Sequence, residues 1–200
     1  MKKVMRISEI LNTFAGVAKV IFRVAALLVA ACVAILLFVS PHHNLWRNAD
    51  YTLQLGSVTL DMIPDGAISP ASARNGIIAG LLLCIPLLLL GAKFLHLIQE
   101  ILTPMSHGKP FDRQVSVSLR KLSFITLIAG FIYEAGHILL TALRMYSVNL
   151  DTLFNTAFVS GYTVNLTFDG NFIFVFAALY LMSHVFRYGE ELQQLSDETL

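Results

Sequence analysis

The sequence predicts an all-α membrane protein: a four-transmembrane-helix bundle with both termini in the cytoplasm and a small external β-sheet formed by its two extracytoplasmic loops. Three observations support this fold class. Hydrophobic residues make up 56% of the 200 positions and charged residues only 14%, whereas soluble domains have about 45–50% and about 25%. The apolar residues are concentrated in four long runs. Most basic residues flank these runs on the same predicted side of the membrane as the two termini.

The four apolar runs are long enough to cross a bilayer as helices. A transmembrane helix needs roughly 20 residues to span the hydrocarbon core, and backbone groups in lipid must be hydrogen-bonded within the segment, which favours helices over open strands. The predicted spans are about 20–39, 77–98, 123–143 and 172–188. Within a single membrane domain, 1–200, they leave external loops at 40–76 and 144–171, a cytoplasmic loop at 99–122 and a cytoplasmic tail at 189–200.

The distribution of Lys and Arg predicts the orientation. Cytoplasmic loops carry an excess of these residues. Only Arg47, Arg74 and Arg144 fall on the side opposite the termini, out of 14 basic residues in the chain. Both termini and the loop between the second and third spans are therefore predicted to be cytoplasmic in a multi-pass membrane protein.

The two external loops contain segments in which apolar and polar residues alternate. This period-two pattern is typical of strands, and it occurs at 51–55, at 57–63 and at 162–168. We expect about three short strands, and pairing between the two loops, because an isolated hairpin is marginally stable. Such a sheet would either shield the helix ends or present a sensing surface.

The segment before the first span has apolar residues at helical spacing. Ile7, Ile10, Leu11, Phe14 and Val17 share one side of a helix. This pattern predicts either an amphipathic helix on the inner leaflet or a direct extension of the first span.

The polar and small residues of the third span share one face, which includes Glu134 and His137. Glu134 is placed near mid-bilayer, where a charged side chain costs at least about 2.5–3.5 kcal/mol, so it needs a partner, a proton or water. His137 lies one turn further on and is within reach. We predict an intramembrane polar pair that fixes helix packing; the alternative is a metal, haem or proton-relay site that adds Cys32 and Cys84. No metal and no cofactor are predicted.

The cytoplasmic segment "GKPFDRQVSVSLRKL" carries more than the orientation signal. Gly108 and Pro110 suit a turn that ends one helix, and Asp112 suits the N-terminus of the next. We expect the following residues to form a short helix that leads into the third span. Whether Gly-Lys-Pro-Phe is only a turn or also a docking site is left open.

Two motifs resemble a bacterial four-helix membrane family catalogued as domain of unknown function 2975. The first is the cytoplasmic Gly-x-Pro-Phe followed by Leu-Arg, here Gly108, Lys109, Pro110, Phe111, Leu119 and Arg120. The second is the C-terminal pattern Gly189, Leu192, Gln193 and Asp197. The resemblance implies no activity, but it suggests a link to a small helix-turn-helix regulator, since genes of this family often neighbour one.

We therefore predict a non-enzymatic regulatory or sensory membrane protein that acts on a cytoplasmic partner such as a helix-turn-helix regulator. No phosphate-binding loop, helical metal motif or nucleophile elbow is present in the sequence, so no catalytic residue is assigned. The net charge of +1 gives no reason to expect direct nucleic-acid binding. The alternatives are a cofactor-binding or proton-coupled transport bundle centred on Glu134 and His137, or an accessory subunit of a membrane complex; homo-oligomerisation is left open.

Overall fold

Four long helices make up most of the structure, a computed structural model that describes residues 2–39, 51–55, 58–62, 70–147 and 167–198. The helices are α1 (Lys2–Phe38), α2 (Pro70–Ser106), α3 (Arg113–Ser147) and α4 (Asn171–Glu198). Two strands, β1 (Tyr51–Leu55) and β2 (Val58–Met62), lie between α1 and α2 in the chain. The described chain is thus all-helical apart from this pair of strands.

All four helices are long and apolar enough to cross a membrane. The qualifying stretches are Ile7–Phe38, Arg74–Ser106, Arg113–Leu143 and Asn171–Ser196. Their outer faces carry large apolar side chains, for example Leu27 at 72%, Phe38 at 92% and Phe174 at 77% exposure. A soluble monomer rarely exposes continuous apolar surface of this kind. The prediction of four helices long and apolar enough to span a membrane is confirmed, which supports a multi-pass membrane protein.

The helices extend beyond the predicted spans. At 1.5 Å per residue, the 37 residues of α1 or α2 measure about 55 Å, against a hydrocarbon core of ~30 Å. Of the predicted loop 99–122, only residues 107–112 are non-helical, and the predicted tail continues as helix to Glu198. The helices are longer than the spans because hydropathy marks the apolar part of a helix and does not locate its ends; the position of the membrane along them stays a prediction.

The strands form an antiparallel two-stranded sheet in the first predicted external loop. The register pairs Tyr51 with Met62 and Leu55 with Val58. The third predicted strand, 162–168, lies outside the described residues except for its last two positions, which are not in a strand. A sheet shared by the two loops therefore stays a prediction.

The chain divides into two compact units. Unit 1 comprises Met1–Leu28, Ile85–Tyr133 and Asp169–Leu200, and unit 2 comprises Val29–Cys84 and Glu134–Phe168. In unit 1, glycines let neighbouring helices approach closely: a Cβ at Gly91 would lie 2.6 Å from the Phe22 ring, and one at Gly130 would overlap Phe172. The buried apolar residues of unit 1 are Ala15, Ala26, Ala92, Leu97, Val115, Leu119 and Leu122.

Unit 2 holds the C-terminal end of α1. The Arg74 side chain on α2 donates hydrogen bonds to the carbonyl oxygens of Leu36 (3.4 Å) and Leu37 (3.0 Å). The last carbonyls of a helix have no partner within it, and a cation there also interacts favourably with the helix dipole. In the same unit, Gly136 of α3 packs directly under Leu83 of α2. Arg74 and Gly136 therefore help to fix how α1, α2 and α3 pack in this unit.

Candidate functional site

The turn between α2 and α3 begins with a glycine-terminated helix end. Gly108 has a φ of 75°, a conformation that favours glycine. Its N–H donates to the carbonyl oxygen of Met105 (3.2 Å), and the N–H of Lys109 donates to that of Pro104 (3.0 Å). This pair of hydrogen bonds is the Schellman motif. The predicted role of Gly108 in ending a helix is confirmed.

The same turn ends in a side-chain cap on α3. The Oδ1 atom of Asp112 accepts a hydrogen bond from the N–H of Gln114 (2.8 Å), in the second position of the helix. An Asp at this position satisfies a donor that the helix leaves free. The segment 107–112 is therefore fixed at both ends, and Pro110 within it further restricts the backbone.

Phe111 holds the turn against α4. Its ring lies 5.9 Å from that of Phe186, and a Cβ on Gly189 would stand 2.5 Å from the Phe111 ring. Gly189 therefore provides the space that the ring occupies. We call Phe111, Phe186 and Gly189 the aromatic clamp. The clamp joins Gly-Lys-Pro-Phe to the first residue of the C-terminal motif, two segments that the sequence could not show to be in contact.

Polar side chains connect the helices just beyond the clamp. Ser118 Oγ on α3 donates to Glu100 Oε2 on α2 (2.7 Å), and Ser118 is only 1% exposed. The other oxygen of Glu100 lies 3.5 Å from His96 Nε2. Ser116 Oγ lies 3.5 Å from Glu190 Oε2 on α4. The segment "VSVSL", which is buried except for Val117, is therefore held to α2 and α4.

Four cationic side chains of this segment lie apart from these contacts. Lys109, Arg113, Arg120 and Lys121 are all exposed, and none of their side chains forms a hydrogen bond or ion pair with the residues that the structure describes. They form two pairs. Lys109 lies in the turn and Arg113 directly follows it, whereas Arg120 and Lys121 lie about 10 Å further along α3, at seven residues of 1.5 Å each. We call them the tip pair and the boundary pair.

The remaining motif residues differ in their surroundings. Leu119 is buried (6% exposed), whereas Leu192 and Gln193 are exposed on α4. Asp197 lies in the last turn of α4. Within the C-terminal motif, only Gly189 has a packing role that the structure defines.

Glu134 and His137 differ in burial. Glu134 is buried at 7% exposure, whereas His137, which is on the same predicted polar face of α3, is exposed. Both residues take part in interactions. Their pairing with each other stays a prediction. Cys32 and Cys84 are exposed, and no group of three His, Cys, Asp or Glu side chains that could hold a metal occurs in the part of the chain that the structure describes.

A polar contact between α1 and α2 was not predicted from the sequence. Lys19 Nζ donates to Gln99 Oε1 (2.6 Å), and Gln99 Nε2 donates to the carbonyl oxygen of Asn12 (3.2 Å). Gly16 provides space for this amide, because a Cβ there would lie 2.9 Å from Gln99 Nε2. The available signal was the spacing of Asn12, Gly16 and Lys19, which places small and polar residues on one side of α1.

No protein-family model, curated protein or solved structure matches this chain. The resemblance suggested by the two motifs therefore stays a prediction.

Proposed function

We propose that this is a non-enzymatic regulatory or sensory membrane protein of the bacterial inner membrane, which acts on a cytoplasmic protein partner through the α2–α3 turn. Both termini and the turn would face the cytoplasm, and the external hairpin would be the sensing side. The observation that carries the proposal is the exposed tip pair: the side chains of Lys109 and Arg113 have no partner among the described residues and stand on a turn of fixed shape.

The aromatic clamp supports a regulatory role. The Phe111 ring packs against Phe186 and occupies the space left by the missing side chain of Gly189. A movement of α4 relative to α3 would therefore displace the turn directly. A packed contact of this kind has few intermediate arrangements. The clamp is thus a route by which a change in the membrane helices would alter the surface offered to a partner.

The charge of the tip pair indicates the kind of partner. Two exposed cations favour an acidic protein surface, and complementary charge contributes mainly to the rate and specificity of association. A helix-turn-helix regulator with an acidic face outside its DNA-binding surface would satisfy this requirement. The motif resemblance points to the same class of partner.

Co-purification from native membranes tests the proposal. The variant with Lys109→Gln and Arg113→Gln should lose a cytoplasmic regulator that the wild type retains in mild detergent. The matched control is the variant with Arg120→Gln and Lys121→Gln, which removes the same number of positive charges further along α3 and should retain the partner. Equal recovery of the regulator by the wild type and the tip-pair variant would exclude the turn from the mechanism.

The burial of Glu134 favours one second candidate. A carboxyl side chain with 7% exposure in a membrane span suits a proton-coupled transport or cofactor-binding bundle. Absorbance spectra and metal analysis of the purified protein test for a cofactor. Proton uptake into vesicles, compared between wild type and Glu134→Gln, tests for transport; identical traces would argue against this function.

Crosslinking in native membranes would reveal an accessory subunit of a larger complex or a homo-oligomer.

A further inference from the structure

A second charged region lies on the exposed surface along the contact between α3 and α4. Phe124 on α3 lies 6.2 Å from Tyr180 and 5.6 Å from Phe176 on α4, between ring centroids. Phe131 contacts Phe172 at 5.0 Å. Since the residue numbers rise on α3 as they fall on α4, the two helices are antiparallel along this seam.

Three side chains that can donate hydrogen bonds lie one turn from the Phe124–Tyr180 contact. Arg120 precedes Phe124 by four residues, and His184 follows Tyr180 by four, so both lie on the side of that contact nearer the turn. The His184 ring packs edge-on against Tyr180, with centroids 4.9 Å apart. Arg120, Lys121 and His184 are all exposed. Their shared location gives one small surface with two cations and an imidazole.

The charge of this surface is not neutralised by the nearby acids for which the structure gives contacts. Glu190 lies against Ser116, one turn closer to the start of α3, and Glu191 pairs with Arg187 at 3.3 Å. The side chains of the boundary pair make no hydrogen bond or ion pair with the described residues. An anion is therefore the complementary ligand.

An apolar strip leads away from the cations. Phe124, Ile128 and Phe131 follow Arg120 on one face of α3, with exposures of 42%, 49% and 49%. All three residues lie within the candidate membrane span Arg113–Leu143, and the apolar run predicted from the sequence begins at position 123, three residues after Arg120. A charged group next to a continuous exposed apolar strip matches the headgroup and acyl chain of a phospholipid, whereas a free anion or an acidic protein would leave the strip unused.

We propose that the α3–α4 seam at Arg120, Lys121 and His184 binds the phosphate headgroup of an anionic phospholipid, with an acyl chain along Phe124, Ile128 and Phe131. The guanidinium of Arg120 can donate two hydrogen bonds to one phosphate, and His184 adds a ring N–H. The site goes beyond the proposed regulatory function and uses different cations, so either can fail without the other.

Native mass spectrometry of the full-length protein in detergent tests the site. The probes are phosphatidylglycerol, phosphatidylcholine and inorganic phosphate. We expect the wild type to bind phosphatidylglycerol at least tenfold more tightly than phosphatidylcholine. In the variant with Arg120→Gln and Lys121→Gln, the affinity for phosphatidylglycerol should fall about fivefold for each cation removed, roughly 25-fold in total. The variant with Lys109→Gln and Arg113→Gln removes equal charge about 10 Å away. Its affinity for phosphatidylglycerol should differ from that of the wild type by less than twofold.

A measurement on the wild type alone keeps the proposal testable if the variants fold poorly. Phosphatidylglycerol should raise the thermal midpoint, whereas phosphatidylcholine should not. Equal binding of the two lipids, an equal loss in the two paired variants, or full competition by millimolar inorganic phosphate would each overturn the proposal. Loss of a protein partner, without loss of lipid binding, on changing the boundary pair would also overturn it and identify the seam as a protein-docking surface.

Discussion

The aromatic clamp makes a sharp prediction about Gly189→Ala. An alanine in the middle of a helix is about 1 kcal/mol more favourable than glycine, so in open space this change would stabilise the protein. Here the new methyl group would stand 2.5 Å from the Phe111 ring, which must leave its position. Phe111 is 41% exposed, so roughly three-fifths of the ~1.5–3 kcal/mol for burying a Phe side chain is at stake, with about 0.5–1.5 kcal/mol from the aromatic pair.

Together, the two effects should lower the free energy of unfolding by about 1 kcal/mol for Gly189→Ala in the wild-type background. In a Phe111→Ala background the ring is absent, so the same change should stabilise the protein by about 1 kcal/mol. The sign of the effect is therefore expected to reverse, with a coupling of about 2 kcal/mol between the two positions, within the usual range for residues in contact.

A double-mutant cycle measures this coupling directly. The free energy of unfolding would be obtained by denaturing titration in mixed micelles, with helix content followed by circular dichroism. Gly91→Ala, which meets the Phe22 ring at 2.6 Å, is the matched control and should show no coupling to Phe111→Ala. Additive effects of Gly189→Ala and Phe111→Ala, or a stabilising Gly189→Ala in the wild type, would refute the contact between turn and α4.

Three further changes have defined outcomes. Asp112→Ala should lower the free energy of unfolding by about 1 kcal/mol and Asp112→Asn by much less, because Asn also caps helices; equal losses would contradict the cap at Gln114. Gly108→Ala should cost about 1–2 kcal/mol, since its φ of 75° is left-handed, and Gly108→Asn should cost less; thermal midpoints would show the order. Glu134→Gln should leave expression and thermal stability near wild type, whereas Glu134→Lys should lower both, because the site is buried at 7% exposure and a cation there must be desolvated. Equal behaviour of these two variants would show that Glu134 does not lie in a dry, packed environment.

Local signals explain what the sequence could predict. Long apolar runs locate membrane helices because the bilayer sets their minimum length. Gly108 and Asp112 identified the end of one helix and the start of the next, because both positions depend on short-range hydrogen bonds. The polar stripe of α3 agrees with the burial of Glu134 but not with the exposure of His137, because helical periodicity groups residues on a face without fixing which part of that face a neighbouring helix covers.

Contacts between segments that are distant in the chain could not be predicted from the sequence. Nothing near Gly189 indicates that Phe111 fills the space above it, because that contact depends on the way two helices pack. The apolar residues at the start of α1, such as Phe14 at 71% exposure, face outward, while Ser8 and Ala15 are buried. In a soluble protein the apolar face would pack inward, but next to lipid the small and polar face forms the helix contact. Of the two predicted arrangements, the structure has the direct extension of the first span, in one helix that begins at Lys2.

The hydrogen bonds at both ends of the α2–α3 turn have a consequence for molecular recognition. Ordering a flexible loop on binding lowers affinity, at about 1–2 kcal/mol for each backbone residue fixed. Gly108 and Asp112 already restrict the segment between them, with Pro110 as a further constraint. Most of that entropy loss has therefore occurred during folding, before any partner arrives. A ligand of this turn should consequently bind with a small entropic penalty and a small heat-capacity change, which isothermal titration calorimetry can measure.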